Sequence, residues 1–261
     1  MRILFIGDIV GEPGRHAIKE LVPKLKRDKN IEFVIANCEN VAGGSGVTPA
    51  LADELLSYGV DVLTSGDHIW KRKEILDRLN TDKRLVRPAN YPKDTPGFGA
   101  TVVKSESGKE VGVINLVGRV FMQAVECPFR VAKEEADRLK SRTNIIIVDM
   151  HAEATSEKIA MGWYLDGLVS GIVGTHTHVQ TADEKILPNG TAFISDAGMT
   201  GPFDGVIGRK KEQILTRFLT QLPARFEMAE GDIQLHGVIM DVDDKTGRAK
   251  SIGRVQEKLE E

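Results

Sequence analysis

The sequence predicts an α/β protein built on a mostly parallel β-sheet. Two observations lead to this class. Short apolar runs, each followed by a polar residue or a turn, alternate with segments whose apolar residues recur at helical spacing. The order of strand, helix and strand then repeats, which is typical of parallel sheets with right-handed crossovers. The chain has 261 residues, without an internal repeat or a linker, so we expect one domain over residues 1–261.

The first half of the chain alternates regularly. Its predicted strands are apolar enough to be buried on both faces, and they are Arg2–Gly7, Phe33–Ala36 and Val60–Leu63. The predicted helices are Arg15–Arg27, Pro49–Tyr58 and the basic segment Lys71–Leu79. Thr48 is the expected N-cap of the second helix, and Pro23 predicts a kink or an early end in the first.

The second half is less regular. Predicted strands are Ala100–Val103, Val111–Leu116, Asn144–Asp149, Gly171–Gly174 and Ala192–Ser195, and predicted helices are Val131–Leu139, Glu157–Leu165 and Gln213–Leu222. Leu235–Asp241 and Ala249–Val255 predict a closing hairpin. Thr200–Pro202 is interpreted as a turn.

The composition excludes several classes of function. The formal net charge is −3 and aromatic residues make up 5%, so we expect no basic or stacking surface for long nucleic acids. The N-terminal apolar run is interrupted at Asp8, so we expect no signal peptide. No apolar run approaches the roughly 20 residues of a membrane span. Two cysteines, Cys38 and Cys127, make no disulfide framework. We therefore expect a cytoplasmic protein without a membrane partner, with Cys38 packed in the core.

Candidate metal ligands follow the predicted strands. They are Asp8, Glu39, Asp67, His151, His176 and His178. In open α/β sheets, ligands bind outside the carboxyl ends of the strands. Two histidines two residues apart point to the same side of an extended backbone, which we expect for His176 and His178. Each residue alone is better explained as a helix cap or a structural histidine, but five strand ends with the same chemistry favour one metal site.

The donor types narrow the choice of ion. A mixture of carboxylates and imidazoles suits manganese, iron or zinc better than calcium, which prefers oxygen alone. Six such residues exceed the needs of one tetrahedral zinc ion, so two ions are the simplest count. Two metals roughly 3.5–4 Å apart can stabilise the attacking and the leaving oxygen of a phosphoester displacement.

Several strings resemble those of the YmdB-like metallophosphoesterases, a branch of the calcineurin-like superfamily. They are Gly7-Asp8, Asn37-Cys38-Glu39-Asn40, Gly66-Asp67-His68-Ile69-Trp70, HAEATSEK from His151 and GTHTHVQTAD from Gly174. The resemblance implies an α/β sandwich of two β-sheets flanked by helices, with two metal ions, iron or manganese, and zinc as an alternative. It also implies a phosphodiesterase that uses metal-activated hydroxide to hydrolyse 2′,3′-cyclic nucleotides, with 3′,5′-cyclic nucleotides as further candidate substrates.

The same resemblance implies roles for single residues. One metal would be bound by Asp8, Glu39, Asn40 and His178, and the other by Glu39, Asp67, His151 and His176, so that Glu39 bridges the two ions. His68 would be the general acid. Two alternatives stay open: a phosphomonoesterase or nuclease using the same centre, and a regulator that binds a cyclic nucleotide without turnover. A homo-oligomer is compatible with each of these functions.

Asp67 departs from the resemblance, because the superfamily usually has Asn at this position. Aspartate offers the same ligand oxygen but adds a negative charge, so three carboxylates, Asp8, Glu39 and Asp67, would face two divalent ions. One hypothesis is that this site attracts an anionic diester less strongly, has a less acidic bridging water or tolerates trivalent iron better; the other is that Asp simply replaces Asn. Arg119 is a further candidate for contact with a phosphate or base, and the run Lys71–Lys73 either attracts anions or forms a solvated helix face.

Overall fold

In the computed structural model, which describes residues 1–260, two β-sheets pack face to face with helices on their outer sides. The strands are β1 (Arg2–Ile6), β2 (Asp8–Ile9), β3 (Phe33–Asn37), β4 (Val62–Thr64), β5 (Ala100–Lys104), β6 (Glu110–Val117), β7 (Ile146–His151), β8 (Gly171–Thr175), β9 (Lys185–Ile186), β10 (Ala192–Ile194), β11 (Met199–Pro202), β12 (Ile233–Val242) and β13 (Ala249–Lys258). The helices are α1 (Gly11–Asp28), α2 (Pro49–Ser57), α3 (Leu76–Thr81), α4 (Pro128–Lys140), α5 (Thr155–Tyr164) and α6 (Lys211–Thr220). The predicted α/β sandwich of two sheets flanked by helices is confirmed.

The first sheet has seven strands. Its order is β2-β11-β12-β1-β3-β4, with β13 paired to β12. Strands β1, β3 and β4 are parallel, as the alternating pattern of the first half predicts, and β12 is antiparallel to β1. The long hairpin of β12 and β13 therefore comes from the far end of the chain to lie beside its first strand.

The second sheet has six strands in the order β5-β6-β7-β8-β10-β9. Its four central strands, β6, β7, β8 and β10, are parallel, and each outer strand is antiparallel to its neighbour. Parallel central strands bring their carboxyl ends to one edge, so each sheet presents a row of strand ends at which side chains can meet.

The period of two along the strands separates the core into layers. In β1, Ile3 and Phe5 lie between the sheets with Val113 and Ile147 of the second sheet. The alternate residues of β1, including Leu4, pack against α1 and α2 on the outer side of the first sheet. A third apolar cluster joins the outer face of the second sheet to α4 and α5. Burial on both faces explains why these strands are almost continuously apolar.

Two local predictions are confirmed, and the bounds of the first helix differ from the prediction. Thr48 caps α2 as predicted, with its hydroxyl accepting from the Leu51 amide at 3.3 Å, and Cys38 is fully buried. The first helix begins at Gly11 rather than Arg15 and continues through Pro23. An entry turn that is itself helical is compatible with Pro13, because the first amides of a helix have no partner within the helix.

Two predictions are wrong. The basic helix Lys71–Leu79 is broken into short 3-10 turns before α3, since Arg72 has an extended backbone and its guanidinium donates to the Ala42 carbonyl at 3.0 Å. Thr200–Pro202 is not a turn but part of β11, which pairs with β2 and β12. Both outcomes depend on contacts with distant segments.

Helix α6 differs from the others because none of its residues is buried. It exposes apolar side chains, including Leu215, Phe218 and Leu219, whose exposed fractions are 54%, 72% and 83%. Within residues 1–260, no helix is both long and apolar enough to cross a membrane.

His236 on β12 provides a test of the fold's response to pH. Its ring packs against Phe203, with centroids 4.4 Å apart, and burial lowers its pKa to about 4 from an ordinary value of 6.5. Above pH 6.5 the ring is neutral in both states. Below it, the unfolded chain binds a proton that the folded chain does not, so the free energy of unfolding falls as the pH drops from about 6.5 to 4.

We expect His236→Phe to weaken this pH dependence. The measurement is the free energy of unfolding in urea at pH 7 and at pH 5 for the wild type, His236→Phe and the control His16→Gln on α1. A His236→Phe protein that loses as much stability between the two pH values as the wild type would contradict the assignment.

Candidate metal centre

The predicted ligands converge at the seam between the two sheets. Asp8 lies just after β1, Glu39 just after β3 and Asp67 after β4, all in the first sheet. His151 ends β7, and His176 follows β8, in the second sheet. The carboxyl ends of both sheets therefore meet at one place, as the strand-end pattern predicts.

The tightest group consists of Glu39, Asp67, His151 and His176. Each offers one nitrogen or oxygen atom, and these atoms all lie within 4.8 Å of one another. His151 Nε2 is 3.2 Å from a Glu39 carboxylate oxygen, 3.3 Å from Asp67 Oδ1 and 3.0 Å from His176 Nδ1. These are the four residues that the resemblance assigns to one of its two metals.

Gly66 permits this close approach. A Cβ atom at position 66 would lie 2.3 Å from both a Glu39 carboxylate oxygen and the His151 ring. Any larger residue would push the end of β4 away from the other strands, so the glycine before Asp67 is a packing requirement of the site.

The second predicted set is less compact. Asn40 Nδ2 lies 3.0 Å from Glu39 Oε1 and 3.2 Å from His178 Nε2, whereas the Asn40 oxygen accepts from His68 Nδ1 at 2.9 Å. Asp8 Oδ2 accepts from the His176 amide at 3.0 Å, and Asp8 Oδ1 is buried without a hydrogen-bond partner within residues 1–260. A buried carboxylate oxygen without a donor is costly, and a cation would satisfy it.

The histidine loop is sharply bent, so the predicted extended backbone is wrong. His176 and His178 have φ values of 98° and 66°, a region that non-glycine residues rarely adopt. Between them, the Thr177 amide and hydroxyl both donate to Asp196 Oδ2, at 3.1 and 2.6 Å. Lys158 pairs with the same oxygen at 2.7 Å, and both side chains of this pair are buried. The surrounding contacts thus hold a strained backbone in place.

A second layer of hydrogen bonds orients the His151 ring. Its Nδ1 lies 2.9 Å from the Thr175 hydroxyl and 3.5 Å from Asn37 Nδ2. The buried carboxylate of Asp149 accepts from both of these groups, at 2.7 and 3.0 Å, and from the Thr64 hydroxyl at 2.5 Å. His151 Nε2 is therefore left to face the other predicted ligands.

The His178 ring is fixed in the same manner. Its Nδ1 lies 3.3 Å from the Ile207 carbonyl oxygen, so this nitrogen donates and Nε2 is free of a proton. Nε2 is the atom that faces Asn40.

The pKa values of several groups in the centre are strongly shifted. Burial raises the pKa of Asp8 and of Asp149 to about 7. Burial also opposes ionisation of Glu39, but the charged His151 and the hydrogen bonds to it outweigh burial and hold the Glu39 pKa well below its usual range. Burial lowers the pKa of both His176 and His178, which favours the neutral imidazole that ligates metals.

A cavity of about 330 Å³ opens above these residues. His68 lies on its wall with the side chain 32% exposed, and a hydrogen bond to Glu39 raises the His68 pKa above 6.5 despite burial. Arg209, Ile207 and Glu153 also line the cavity, whereas Arg119 and Lys71–Lys73 do not. His176 Nε2 lies 3.2 Å from a Glu153 carboxylate oxygen.

Sequence reasoning missed several of the supporting residues. Asp196 follows β10, so the rule that found the other strand-end carboxylates could also have found it. Lys158 lies on α5, within the string HAEATSEK, but nothing local indicates that its ammonium group is buried. Arg209 carried no signal at all, because its role depends on a loop about 165 residues away in the chain.

Removing the Asp149 carboxylate should weaken metal binding without removing a ligand. Asp149→Ala frees Thr175 and Asn37 from the acceptor that orients them, and loss of such second-layer contacts typically costs about 10- to 100-fold in affinity. The measurement is the dissociation constant of Mn²⁺ by competition with a chelator. Asp61→Ala is the matched control, because Asp61 accepts from the Val34 amide at the opposite end of β3. Equal affinities in the two variants would exclude this role.

Comparison with known proteins shows the family to which the chain belongs. The sequence profile of the family described as "YmdB-like protein" matches residues 4–255. A Bacillus subtilis protein named 2′,3′-cyclic-nucleotide 2′-phosphodiesterase is 53% identical over 255 residues, covering 98% of this chain and 96% of that protein.

Two crystal structures have nearly the same fold. A hypothetical protein from Thermus thermophilus has a TM-score of 0.90 at 38% identity, with 99% of each chain covered. A protein from Mycoplasma pneumoniae described as a novel phosphatase has a TM-score of 0.92 at 35% identity, covering 99% of this chain and 93% of that chain. The profile match and these relatives span almost the whole sequence, and the chain therefore belongs to the family of YmdB-like proteins.

Proposed function

We propose that this protein is a di-metal phosphodiesterase that hydrolyses cyclic nucleotides, first of all 2′,3′-cyclic ones, with 3′,5′-cyclic nucleotides as further substrates. The observation that carries the proposal is the group of Glu39, Asp67, His151 and His176, whose ligand atoms lie within 4.8 Å of one another beneath an open cavity. The reaction type comes from the Bacillus subtilis relative, whose name describes a 2′,3′-cyclic-nucleotide phosphodiesterase.

The residues present suit two metal ions. Glu39, Asp67, His151 and His176 would hold one ion, and Asp8, Glu39, Asn40 and His178 would hold the other. The mixed oxygen and nitrogen donors favour iron or manganese, with zinc as an alternative. The buried Asp8 oxygen without a donor supports a cation beside it. For the second set, the Asn40 amide must turn its oxygen away from His68 and toward the ion.

When bound, two such ions supply Lewis-acid activation of water and neutralise charge on the phosphoryl oxygens. The protein's own part is to orient the diester and to move a proton. His68 is suited to the proton transfer, because its Nδ1 also lies 3.3 Å from Glu39 Oε1 and so keeps an acceptor when the Asn40 oxygen turns away, while its Nε2 is left for the substrate. Its raised pKa favours the charged ring at neutral pH, so His68 protonates the ribose oxygen that leaves.

A phosphomonoesterase is the second candidate, favoured by the Mycoplasma pneumoniae structure described as a phosphatase. The deciding experiment measures metal content and hydrolysis together, with 2′,3′- and 3′,5′-cyclic nucleotides, bis(p-nitrophenyl) phosphate and p-nitrophenyl phosphate as substrates. Cleavage of diesters without cleavage of the monoester supports the proposal. Monoester cleavage alone supports the phosphatase, and tight nucleotide binding without turnover identifies a regulator.

His68→Ala should bind metal normally yet lose most of its kcat. A general acid typically contributes about 10²- to 10⁴-fold, and His68 is not among the proposed ligands. Metal content and kcat are measured on the same preparation, with His16→Ala as the control. Loss of metal together with activity would make His68 a ligand and remove the proposed role.

We also propose a cytoplasmic location, a homo-oligomer and a small substrate for this enzyme. A reducing cytoplasm is supported by two free cysteines, one of them fully buried. A homo-oligomer is supported by the apolar side chains that α6 exposes. The substrate is a small phosphodiester rather than a long nucleic acid, in agreement with the net charge of −3.

A further inference from the structure

The wall of the cavity above the ligand cluster contains one permanently charged cation. Within residues 1–260, Arg209 is the only lysine or arginine that lines this cavity, which it shares with the carboxylates of Glu39 and Glu153. Arg209 belongs to the segment that follows β11 and precedes α6, far in sequence from every predicted ligand except His176 and His178.

The guanidinium of Arg209 is held in place by backbone carbonyls. Its Nη2 donates to the Gly44 oxygen at 2.7 Å, and its Nη1 lies 3.3 Å from the Gly43 oxygen and 3.4 Å from Met228 Sδ. Gly44 has a φ of 86°, and a Cβ atom there would lie 2.3 Å from Arg209 Nη2. The glycine loop is thus shaped to let the guanidinium lie across it.

These contacts fix the side chain without neutralising it. No carboxylate within residues 1–260 forms an ion pair with Arg209. Burial lowers the pKa of the guanidinium, but Arg209 is still protonated at neutral pH. A guanidinium carries five N–H donors, and the Gly43 and Gly44 carbonyls and Met228 Sδ accept from only part of them. A half-buried cation without a counter-ion favours binding of an anion beside it.

The carboxylates below Arg209 explain why such a cation is useful here. Asp8, Glu39 and Asp67 bring three potential negative charges to a site that has to admit an anionic phosphodiester. A fixed positive charge on the wall of the same cavity offsets part of this negative charge and attracts the substrate.

We propose that Arg209 is a substrate-binding residue, whose guanidinium contacts a non-bridging phosphoryl oxygen of the diester. This inference rests on the proposed function and deepens it. Planar guanidinium groups match phosphate oxygens in a bidentate geometry, which a lysine does not reproduce.

A purely structural role is the competing explanation. Arg209 ties the Gly43–Gly46 loop to the segment that contains Ile207, and the Ile207 carbonyl orients the His178 ring. If this were its whole role, substitution would disturb metal binding and kcat while leaving the affinity for phosphate unchanged. The two explanations therefore differ in measurable quantities.

The test compares Arg209→Gln, Arg209→Lys and the control Arg72→Gln. Glutamine can still donate to the loop carbonyls but carries no charge, whereas lysine keeps the charge. Arg72 is the matched control because it donates to the Ala42 carbonyl of the same loop and does not line the cavity. The readouts are metal content, kcat and KM for a cyclic nucleotide, and the dissociation constant of inorganic phosphate by calorimetry on the metal-loaded protein.

We expect Arg209→Gln to weaken phosphate binding and to raise KM by about ten- to a hundredfold, at unchanged metal content. Arg209→Lys should recover part of this loss, and Arg72→Gln should behave as the wild type. Lower metal content or lower kcat at unchanged phosphate affinity in Arg209→Gln would overturn the proposal.

A measurement on the unmutated protein covers the case in which Arg209→Gln does not fold. Phenylglyoxal modifies accessible arginines, and peptide mass spectrometry locates the modified sites. Inorganic phosphate should protect Arg209 but not Arg72, and absence of protection would refute the proposal. If the wild type cleaves no phosphoester yet binds phosphate through Arg209, the proposed activity fails while this inference stands.

Discussion

The contact between Glu39 and His151 is the interaction on which the rest of the centre depends. Both side chains are almost completely buried, and Glu39 approaches His151 Nε2 to 3.2 Å across the seam between the sheets. An isolated buried carboxylate would be very costly, so the structure surrounds it with His151, with the Asn40 amide and with the His68 backbone. The positions of the neighbouring predicted ligands follow from satisfying the hydrogen-bonding and charge requirements of Glu39.

The architecture makes such a cluster possible only because two sheets end at the same place. The first sheet contributes the carboxylates Asp8, Glu39 and Asp67, and the second contributes the imidazoles His151 and His176. Opposite chemistry on the two sheets means that packing them together also pairs acids with bases. The apolar layer that contains Phe5 and Val113 sets the separation of the sheets, and that separation sets the distances at the seam.

The strand ends were predictable from the sequence because they depend on local patterns. Runs such as Phe33–Ala36 have to be buried, and a polar residue directly after a buried parallel strand reaches the ligand-binding edge. The bent backbone at His176 and His178 was not predictable, since it is imposed by Asp196, a residue that local pattern does not connect with them. Strand β11 was missed for the same reason: Thr200–Pro202 has turn-forming residues, and only its distant partners in β12 make it a strand. Arg209 had no local signal, because a cation on a loop is ordinarily solvated.

The position of the proposed ligands at the seam has a consequence for the amount of folded protein in a cell. A cation bound there would add a cross-link between two sheets that are already joined by apolar contacts, by loops and by the buried hydrogen bonds of Asp149. By mass action, an ion present at about 1,000 times its dissociation constant stabilises the folded state by about 4 kcal/mol. Proteins of this size have a free energy of unfolding of only about 5–15 kcal/mol, so the supply of metal would determine a large share of this stability. Starvation for the metal would then deplete this protein through degradation of the unfolded chain, in addition to inactivating it.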